Sequence, residues 1–452
     1  MKGITRFNTV LTLLLFANSQ TVSAKDASAA LEELLGTLRD NGTITSDQHD
    51  QLIRAMDDGA GDIEPDGEAV ASESEAVATD SEAKVKTAEK EKKKSAPDRV
   101  TLQLGGELMI DSAFYDEDKN ELGDGTEIRR ARLKAEGDIF DWNYEMGLDF
   151  SGGDVEIKDA YFGYDKWSST RLTIGQFKEP FSLEELTSAK YITFMERALP
   201  VAFAPGRNIG IGMHKYWDSL TLAGGLFGES FDDDVDDEGD EGWGATGRLT
   251  YSPLHKNARA VHLGAAASYR KSNDDDEARY DTKPESNVTD VKYANTGKIE
   301  DVDSTTRYGL EAAAVWGPFS GQAEYLFTDV SRNSGASDLD LDGWYAYGSW
   351  FLTGESRSYR YKKGSFGRIK PRHRYGALEL AARYSMIDLT DMPVTGGEEK
   401  NITLGLNWYL NPNLRVMANY VFIDNDKNAD DDGDVVGNDD PGALQFRLQG
   451  EF

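Results

Sequence analysis

From about residue 100 to the C-terminus, hydrophobic and polar residues alternate with a period of two. In the run NITLGLNWYL, the apolar residues Ile402, Leu404, Leu406, Trp408 and Leu410 share one face. Successive side chains of a β-strand point to opposite faces, so this run predicts a strand with one apolar and one polar face. The same pattern predicts sixteen strands, near residues 100–115, 126–140, 142–151, 155–166, 169–178, 207–217, 219–229, 242–253, 259–272, 302–316, 318–332, 340–354, 374–387, 398–411, 412–424 and 441–452.

The connections between the predicted strands alternate in length. Tight turns such as FDW, KWSS and LNPN take turns with longer polar loops, and the long connection 355–373 is an exception. A transmembrane β-barrel has short periplasmic turns, long outer loops, lipid outside and water inside. A β-sandwich has no reason to sort its loops in this way. The pattern therefore predicts an all-β fold, a sixteen-stranded antiparallel transmembrane β-barrel over residues 99–452.

The first 98 residues follow three other patterns. Residues 1–24 join a basic start to an apolar core and end in Val-Ser-Ala, which predicts a cleaved secretory signal peptide. Leucines at helical spacing predict a short helical hairpin over 25–58. Residues 59–98 hold almost no large apolar side chains, which predicts a disordered charged linker. We therefore expect an exported protein of the outer membrane of a Gram-negative bacterium.

Composition argues against several other classes of protein. The chain is 39% hydrophobic and 29% charged, and no apolar run reaches the ~18 residues that a membrane-spanning helix needs. Cysteine is absent, so neither disulfides nor thiolate metal sites are expected. The five histidines show no arrangement for nucleophilic catalysis, and no phosphate-cradling glycine loop is present. We expect no enzyme activity, no resident cofactor and no nucleic-acid partner.

The net charge of −32 is concentrated in three predicted outer loops, 231–242, 272–303 and 424–440. Charge at those positions is screened within a Debye length of ~8 Å, so it need not set the potential inside the barrel. The run DNDKNADDDGD offers carboxylates to Ca²⁺ or Mg²⁺, although it lacks the order of an EF-hand loop.

The predicted lumenal face of the second strand is basic. Alternation places Ala131 and Leu133 outward and Arg130, Arg132 and Lys134 inward, with a spacing of roughly 6–7 Å. Rings of arginine and lysine select anions in pores, so this column predicts an anion path. The alternative is that these cations pair with lumenal carboxylates and only rigidify the wall.

A long segment follows the fifth predicted strand. The run KEPFSLEELTSAKYITFMERALPVAFAPGR contains a helix-like stretch and many apolar groups. These features favour a connection that folds into the lumen as a constriction over an outer lid on the rim. Its candidate anion contacts are Lys178, Ser188, Lys190, Arg197 and Arg207.

Several runs together resemble the phosphate-selective porin O and P family. They include RRARLKAEGDIFDWNYEMGLDFS, FSLEELTSAKYITFMERAL, GLEAAAVWGPFSGQAEYL and TLGLNWYL, and the resemblance spans residues 99–452. It implies a homotrimer, an inward third loop and an anion path lined by arginines. Arg129 and Arg130 match the family's arginine pair, Arg197 its constriction-loop arginine and Ser188 one of its serines.

Other positions depart from the family's phosphate site. Glu185 stands in place of a key lysine, Asn143 replaces another lysine, Lys158 replaces an acid and Ala189 replaces the second serine. The family's arginine-rich loop aligns with the acidic residues 272–303. These changes favour anion preference over high-affinity phosphate selectivity.

The sequence predicts passive diffusion of small anions, with phosphate and polyphosphate as candidates. A general or cation-tolerant pore is one alternative. A surface receptor or adhesin with Ca²⁺-binding acidic loops is another. The expected partners are small inorganic anions, outer-membrane lipid, lipopolysaccharide and two further copies of the chain.

Overall fold

The computed structural model describes residues 100–452 apart from 232–240, 257, 274–275, 334 and 432. The predicted signal peptide, helical hairpin and charged linker lie outside the described residues, as does most of the acidic loop 231–242.

In the described chain, sixteen strands form one closed antiparallel barrel, which confirms the predicted fold class. Each strand pairs with its neighbour in sequence order, and the last strand pairs with the first from Glu107–Glu451 to Asp116–Gly442. The barrel strands are β1 (Gln103–Asp116), β2 (Gly125–Ile139), β3 (Trp142–Asp149), β4 (Glu156–Tyr164), β5 (Thr170–Lys178), β6 (Arg207–Tyr216), β7 (Leu220–Phe227), β8 (Trp243–Lys256), β9 (Arg259–Lys271), β12 (Val302–Trp316), β13 (Phe319–Arg332), β14 (Leu339–Phe351), β17 (Ala377–Asp391), β18 (Val394–Asn411), β19 (Leu414–Asn425) and β20 (Gly442–Glu451).

Short elements occupy three of the connections. The β5–β6 connection contains helix α1 (Leu183–Leu186) and two 3-10 helices, Ala189–Tyr191 and Leu199–Phe203. The β9–β12 connection contains the two-residue strands β10 (Asp281–Thr282) and β11 (Ala294–Asn295). The β14–β17 connection contains the hairpin of β15 (Ser358–Arg360) and β16 (Ser365–Gly367).

The barrel wall is apolar outside and polar inside. On β18, Ile402 and Leu404 are 48% and 47% exposed, whereas Asn401 and Thr403 are fully buried. This arrangement follows the alternation of the sequence, because consecutive strand residues face opposite sides of the wall. None of the helices in the described part of the chain is long and apolar enough to cross a membrane.

Among the described residues, three connections fold into the barrel. The third outer loop, residues 179–206, does so as predicted. The fifth outer loop, residues 272–301, was expected to lie outside, but the Glu285 side chain pairs with Arg383 on the inner wall at 2.5 Å and Tyr280 packs on Phe203. This expectation was wrong because it assigned the loop by its net charge, whereas its apolar residues and Glu285 find partners in the lumen.

The third inward segment is the connection 352–376, at the end of the barrel that carries the short turns. The backbone N–H of Phe366 donates to Thr187 Oγ1, and Phe366 packs with Leu183 of the third loop. The sequence indicated that this connection is long, but not that it enters the lumen. The third loop is thus packed from the outer side and from the periplasmic side.

The seventh outer connection is shorter than predicted. The sequence predicted a loop between residues 387 and 398, but β17 and β18 continue pairing until residues 392–393. The backbones of Gly396 and Gly397 approach Thr296 and Tyr293 of the fifth loop so closely that a side chain at either position would clash. This contact supports the extension of β17 and β18 beyond the predicted strand ends.

Candidate functional site

The third loop lies inside the lumen, and hydrogen bonds from the wall fix its position. Two side chains accept hydrogen bonds from the free N–H groups at the N-terminus of α1. Ser182 Oγ accepts from the Glu185 N–H, and the Glu324 carboxylate of β13 accepts from the N–H groups of Leu183 and Glu184 at 2.8 Å each. A helix of one turn has no stability of its own, so these caps and the burial of Leu183 maintain it.

Donors from the opposite wall fix the middle of the same loop. Arg415 of β19 donates to the carbonyls of Ile192 and Thr193 at 2.8 Å each, and Arg383 of β17 donates to the carbonyl of Glu196 at 3.0 Å. Arg415 is buried inside the barrel, at 3% exposure. Because both guanidiniums bind backbone oxygens, they position the loop.

A β-bulge on β2 aims two consecutive arginines at the loop. Met109 pairs with Arg130 and Ile110 pairs with Ile128, so Arg129 is the extra residue. A bulge interrupts the alternation of side chains, which lets Arg129 and Arg130 both face the lumen. Simple alternation predicts the lumenal position of Arg130 but places Arg129 on the lipid side.

Most predicted anion contacts are paired with carboxylates. Seven of the eight basic side chains in the predicted set lie within 3.3 Å of a carboxylate oxygen. The pairs are Arg129–Glu196, Arg132–Asp149, Lys134–Glu136, Lys178–Glu185, Lys190–Glu451, Arg197–Glu185 and Arg207–Asp159. For these seven, the alternative reading of the sequence, that lumenal cations pair with lumenal acids, describes the geometry.

Glu185 lies between two of these cations. Its carboxylate is 2.5 Å from Lys178 Nζ and 3.0 Å from Arg197 Nε. Burial alone would raise the pKa of Glu185, but the charges of Arg197 and Lys178 outweigh it and lower the pKa to about 2. Glu185 is therefore an anion at physiological pH that neutralises part of the constriction.

Glu196 bridges two other arginines in the same way. It accepts two hydrogen bonds from Arg129 at 2.9 Å each and one from Arg447 at 2.6 Å. Arg447 also binds Asp111 through two hydrogen bonds of 2.7 and 2.6 Å. Burial would raise the pKa of Glu196, but Arg129 and Arg447 lower it. The sequence analysis did not single out Glu196, since nothing in its local pattern marks its partners.

Arg130 is the exception among the predicted cations. It is 8% exposed, its Nε has no hydrogen-bond partner, and no carboxylate of the described residues lies within ion-pair distance of it. Four nearby charges act on Arg130: the three cations Arg129, Arg132 and Arg197, and the carboxylate of Glu196. A buried guanidinium normally has its donors satisfied, so the unpartnered Nε sets Arg130 apart from the seven paired cations.

The other predicted residues lie around this centre. Ser188 begins the first 3-10 helix, where its hydroxyl makes no capping hydrogen bond. Asn143 accepts a hydrogen bond of 2.6 Å from Arg171 near the periplasmic end of the lumen. Lys158 pairs with Glu156 on β4. Of the four positions that depart from the family pattern, Glu185 is the one whose side chain pairs with Arg197.

The sequence analysis also missed the basic inward segment 352–376, which carries eight lysines or arginines and one glutamate. Arg357 lies over the Phe366 ring at 3.5 Å, and Arg360 donates to the Phe366 carbonyl at 2.7 Å. The excess of basic residues in an otherwise acidic chain was the signal that could have identified this segment.

A cavity of about 350 Å³ lies between the third and fifth loops. Its charged lining includes Glu196, Arg197, Lys283, Glu285 and Lys292. Both signs of charge are present, because the fifth loop contributes acids as well as bases. Glu196 is the residue of this lining that also pairs with Arg129.

The predicted Ca²⁺ or Mg²⁺ binding by the loop after β19 stays a prediction. Within the described residues no group of three or more His, Cys, Asp or Glu is arranged to hold a metal ion. Two carboxylates of this loop bind protein groups: Asp439 accepts from Tyr293 at 2.6 Å and Asp431 from Asn295 at 3.1 Å.

A closed sixteen-stranded barrel with an apolar outer face, a polar lumen and an inward third loop is the architecture of an outer-membrane porin. The family comparison agrees with this class: the model of the family described as phosphate-selective porin O and P matches residues 102–452. The chain belongs to that family. It is a channel protein of the Gram-negative outer membrane.

Two relatives support the assignment. The chain is 29% identical to Porin O of Pseudomonas aeruginosa over 381 residues, covering 74% of this chain and 86% of the relative. It is 33% identical over 339 residues to an uncharacterized protein of Caulobacter vibrioides, covering 71% and 68%.

Solved structures show the same fold at low identity. The trimer form of OmpT from Vibrio cholerae has a TM-score of 0.51 at 14% identity, covering 78% of this chain and all of that chain. An anion-selective porin from Comamonas acidovorans has a TM-score of 0.51 at 15% identity, with the same coverage. At these identities the likeness concerns the fold alone.

Proposed function

We propose that the pore passes small inorganic anions by passive diffusion and that Arg130 is the charge that selects them. The observation that carries this proposal is the burial of Arg130 without a carboxylate partner, beside three further cations. A paired cation and its carboxylate largely cancel at a distance, whereas an unpaired cation attracts an anion and repels a cation. The seven paired cations shape the lumen, and Arg130 supplies its bias.

Phosphate is one candidate solute, with weak binding expected. The carboxylate of Glu185 is paired with Lys178 and Arg197, and the carboxylate of Glu196 is paired with Arg129. The protein's own carboxylates therefore already fill two anion positions. A phosphate ion would find one free guanidinium, whereas tight phosphate binding requires several converging donors. We therefore expect phosphate, chloride and similar anions to pass without a strong preference among them.

A homotrimer is the proposed assembly. Strands β3 to β7 have only 8 to 10 residues, whereas β8 to β20 include barrel strands of up to 18. A strand of 8 residues tilted by about 40° spans only about 20 Å, less than the ~25 Å apolar band. Cover from neighbouring copies would remove this mismatch. One of the porins with the same fold is described as a trimer form.

The reversal potential of the purified protein in a planar bilayer tests the proposed selectivity. Under a KCl gradient we expect a potential of the sign that chloride preference gives, and a potential of the same sign when sulfate or phosphate replaces chloride. A potential of the opposite sign would favour the second candidate, a cation-tolerant pore. The acidic residues of the cavity lining are the observation that supports that candidate.

A further inference from the structure

We propose that Glu196 is a tethered counter-ion that fills an anion position of the constriction and keeps the affinity of the pore for its solutes low. This inference rests on the proposed anion function and adds the group that controls how tightly an anion is held. Glu196 lies in the third loop, and the anion preference of the pore is assigned to Arg130 instead.

The contacts of Glu196 are those that a diffusing oxyanion would make. One carboxylate oxygen is 2.9 Å from Arg129 Nε and 2.6 Å from Arg447 Nη2, and the other is 2.9 Å from Arg129 Nη2. Two parallel N–H···O bonds from one guanidinium are the strong geometry for carboxylate and phosphate alike. Glu196 therefore reproduces the arginine contacts of a bound oxyanion.

The position of this carboxylate is fixed but open to solutes. The Glu196 carbonyl accepts a hydrogen bond of 3.0 Å from the buried Arg383, which holds the backbone beneath the side chain. The carboxylate side chain keeps 16% exposure and lines the 350 Å³ cavity. Arg129 does not line that cavity, so Glu196 is the member of the ion pair that a solute in the cavity contacts.

A tethered ligand competes strongly with a free one. Attachment to the chain gives the carboxylate an effective concentration in the millimolar range or above, without loss of translational freedom on binding. A solute anion must displace it to use Arg129, and Arg447 remains occupied by Asp111 in either case. Without the charge of Glu196, Arg129 would join Arg130 as a second unpaired guanidinium on adjacent positions of the same bulge.

The variant Glu196→Gln tests this role. In wild type we expect the chloride conductance to rise nearly in proportion to salt concentration. In the variant we expect it to saturate at a concentration at least tenfold lower, and we expect phosphate to inhibit the chloride current at a concentration at least tenfold lower. Assembly is checked by heat-modifiable migration of the folded barrel on SDS gels.

A matched control separates local contacts from net charge. Asp159→Asn makes the same charge change and frees Arg207. Arg207 lies on β6, away from the β2 bulge that places Arg129 and Arg130 side by side. We expect Asp159→Asn to raise anion preference without saturation at low salt. If both variants saturate alike, net charge explains the effect and the tethered role of Glu196 is refuted.

The outcomes also separate this inference from the proposed function. Cation preference of the wild-type pore refutes the anion function itself. Anion preference in both proteins, with an unchanged dependence of conductance on concentration in Glu196→Gln, refutes only the counter-ion role. If Glu196→Gln does not assemble, Glu196→Asp decides, because it keeps the charge but withdraws it from Arg129. An intermediate shift toward saturation supports the role, and no shift overturns it.

Discussion

Replacing Arg130 by glutamine is the most direct perturbation of the proposed selectivity. The substitution removes the unpaired charge of the constriction and leaves the ion pairs of its neighbours intact. Arg130 makes no ion pair within the described residues, so its loss strands no carboxylate. We expect the barrel to assemble, because a neutral side chain at a buried position costs less to bury than an uncompensated cation.

The size of the effect follows from the Coulomb energy. A unit charge about 4 Å from a guanidinium interacts by about 1 kcal/mol in bulk water and by about 4 kcal/mol at an effective dielectric constant of 20. The wet lumen argues for the lower figure. Since an anion is stabilised and a cation destabilised by that amount, the difference is about 2 kcal/mol, or roughly 30-fold in the anion-to-cation permeability ratio.

The assay is the reversal potential under a KCl gradient, compared across three variants. Arg130→Gln should lose most of the chloride preference, and Arg130→Lys should keep it, because the charge is retained. The double variant Arg207→Gln/Asp159→Asn removes an ion pair without changing the net charge and should resemble wild type. An unchanged permeability ratio in Arg130→Gln would refute the assignment of selectivity to this residue.

Three further measurements follow from the same geometry. Glu185→Lys should make phosphate inhibit chloride current at a concentration at least tenfold lower, because it frees two cations and adds a third; unchanged inhibition would contradict this. The change in anion preference caused by Glu185→Gln should be equally large at pH 6.0 and pH 4.5, since a pKa of about 2 keeps Glu185 ionised until the pH falls far lower, and a difference that shrinks near pH 5 would show otherwise. Glu311→Gln should lower the melting temperature of the folded barrel and increase proteolysis of 352–376, because breaking the buried ion pair with Arg248 costs about 3–5 kcal/mol. The control Glu136→Gln removes a more exposed ion pair with Lys134 and should change both measurements little.

Local alternation was sufficient to predict the wall of the barrel. The predicted segments 302–316 and 318–332 became β12 (Val302–Trp316) and β13 (Phe319–Arg332), because period two and a tight turn are both local signals. The same reasoning failed where strands continue past the membrane: β17 and β18 extend to a two-residue connection through contacts with the fifth loop, which lies far away in sequence.

The lumenal site was predicted only in part. Alternation placed Arg130, Arg132 and Lys134 inside, while the lumenal position of Arg129 depends on a bulge that alternation does not reveal. Loop composition predicted that the third loop enters the lumen, but net charge misplaced the fifth loop.

What the sequence determined by itself was the class of fold, the faces of the strands and the basic character of the second strand, since each follows from neighbours along the chain. What only the tertiary structure decided was which cations are neutralised. Arg129 and Glu196 are 67 residues apart, and Arg447 and Asp111 are 336 apart. Such pairs form only when the barrel closes and the third loop folds into it, so the single unpaired guanidinium of Arg130 among the predicted cations is a property of the closed barrel.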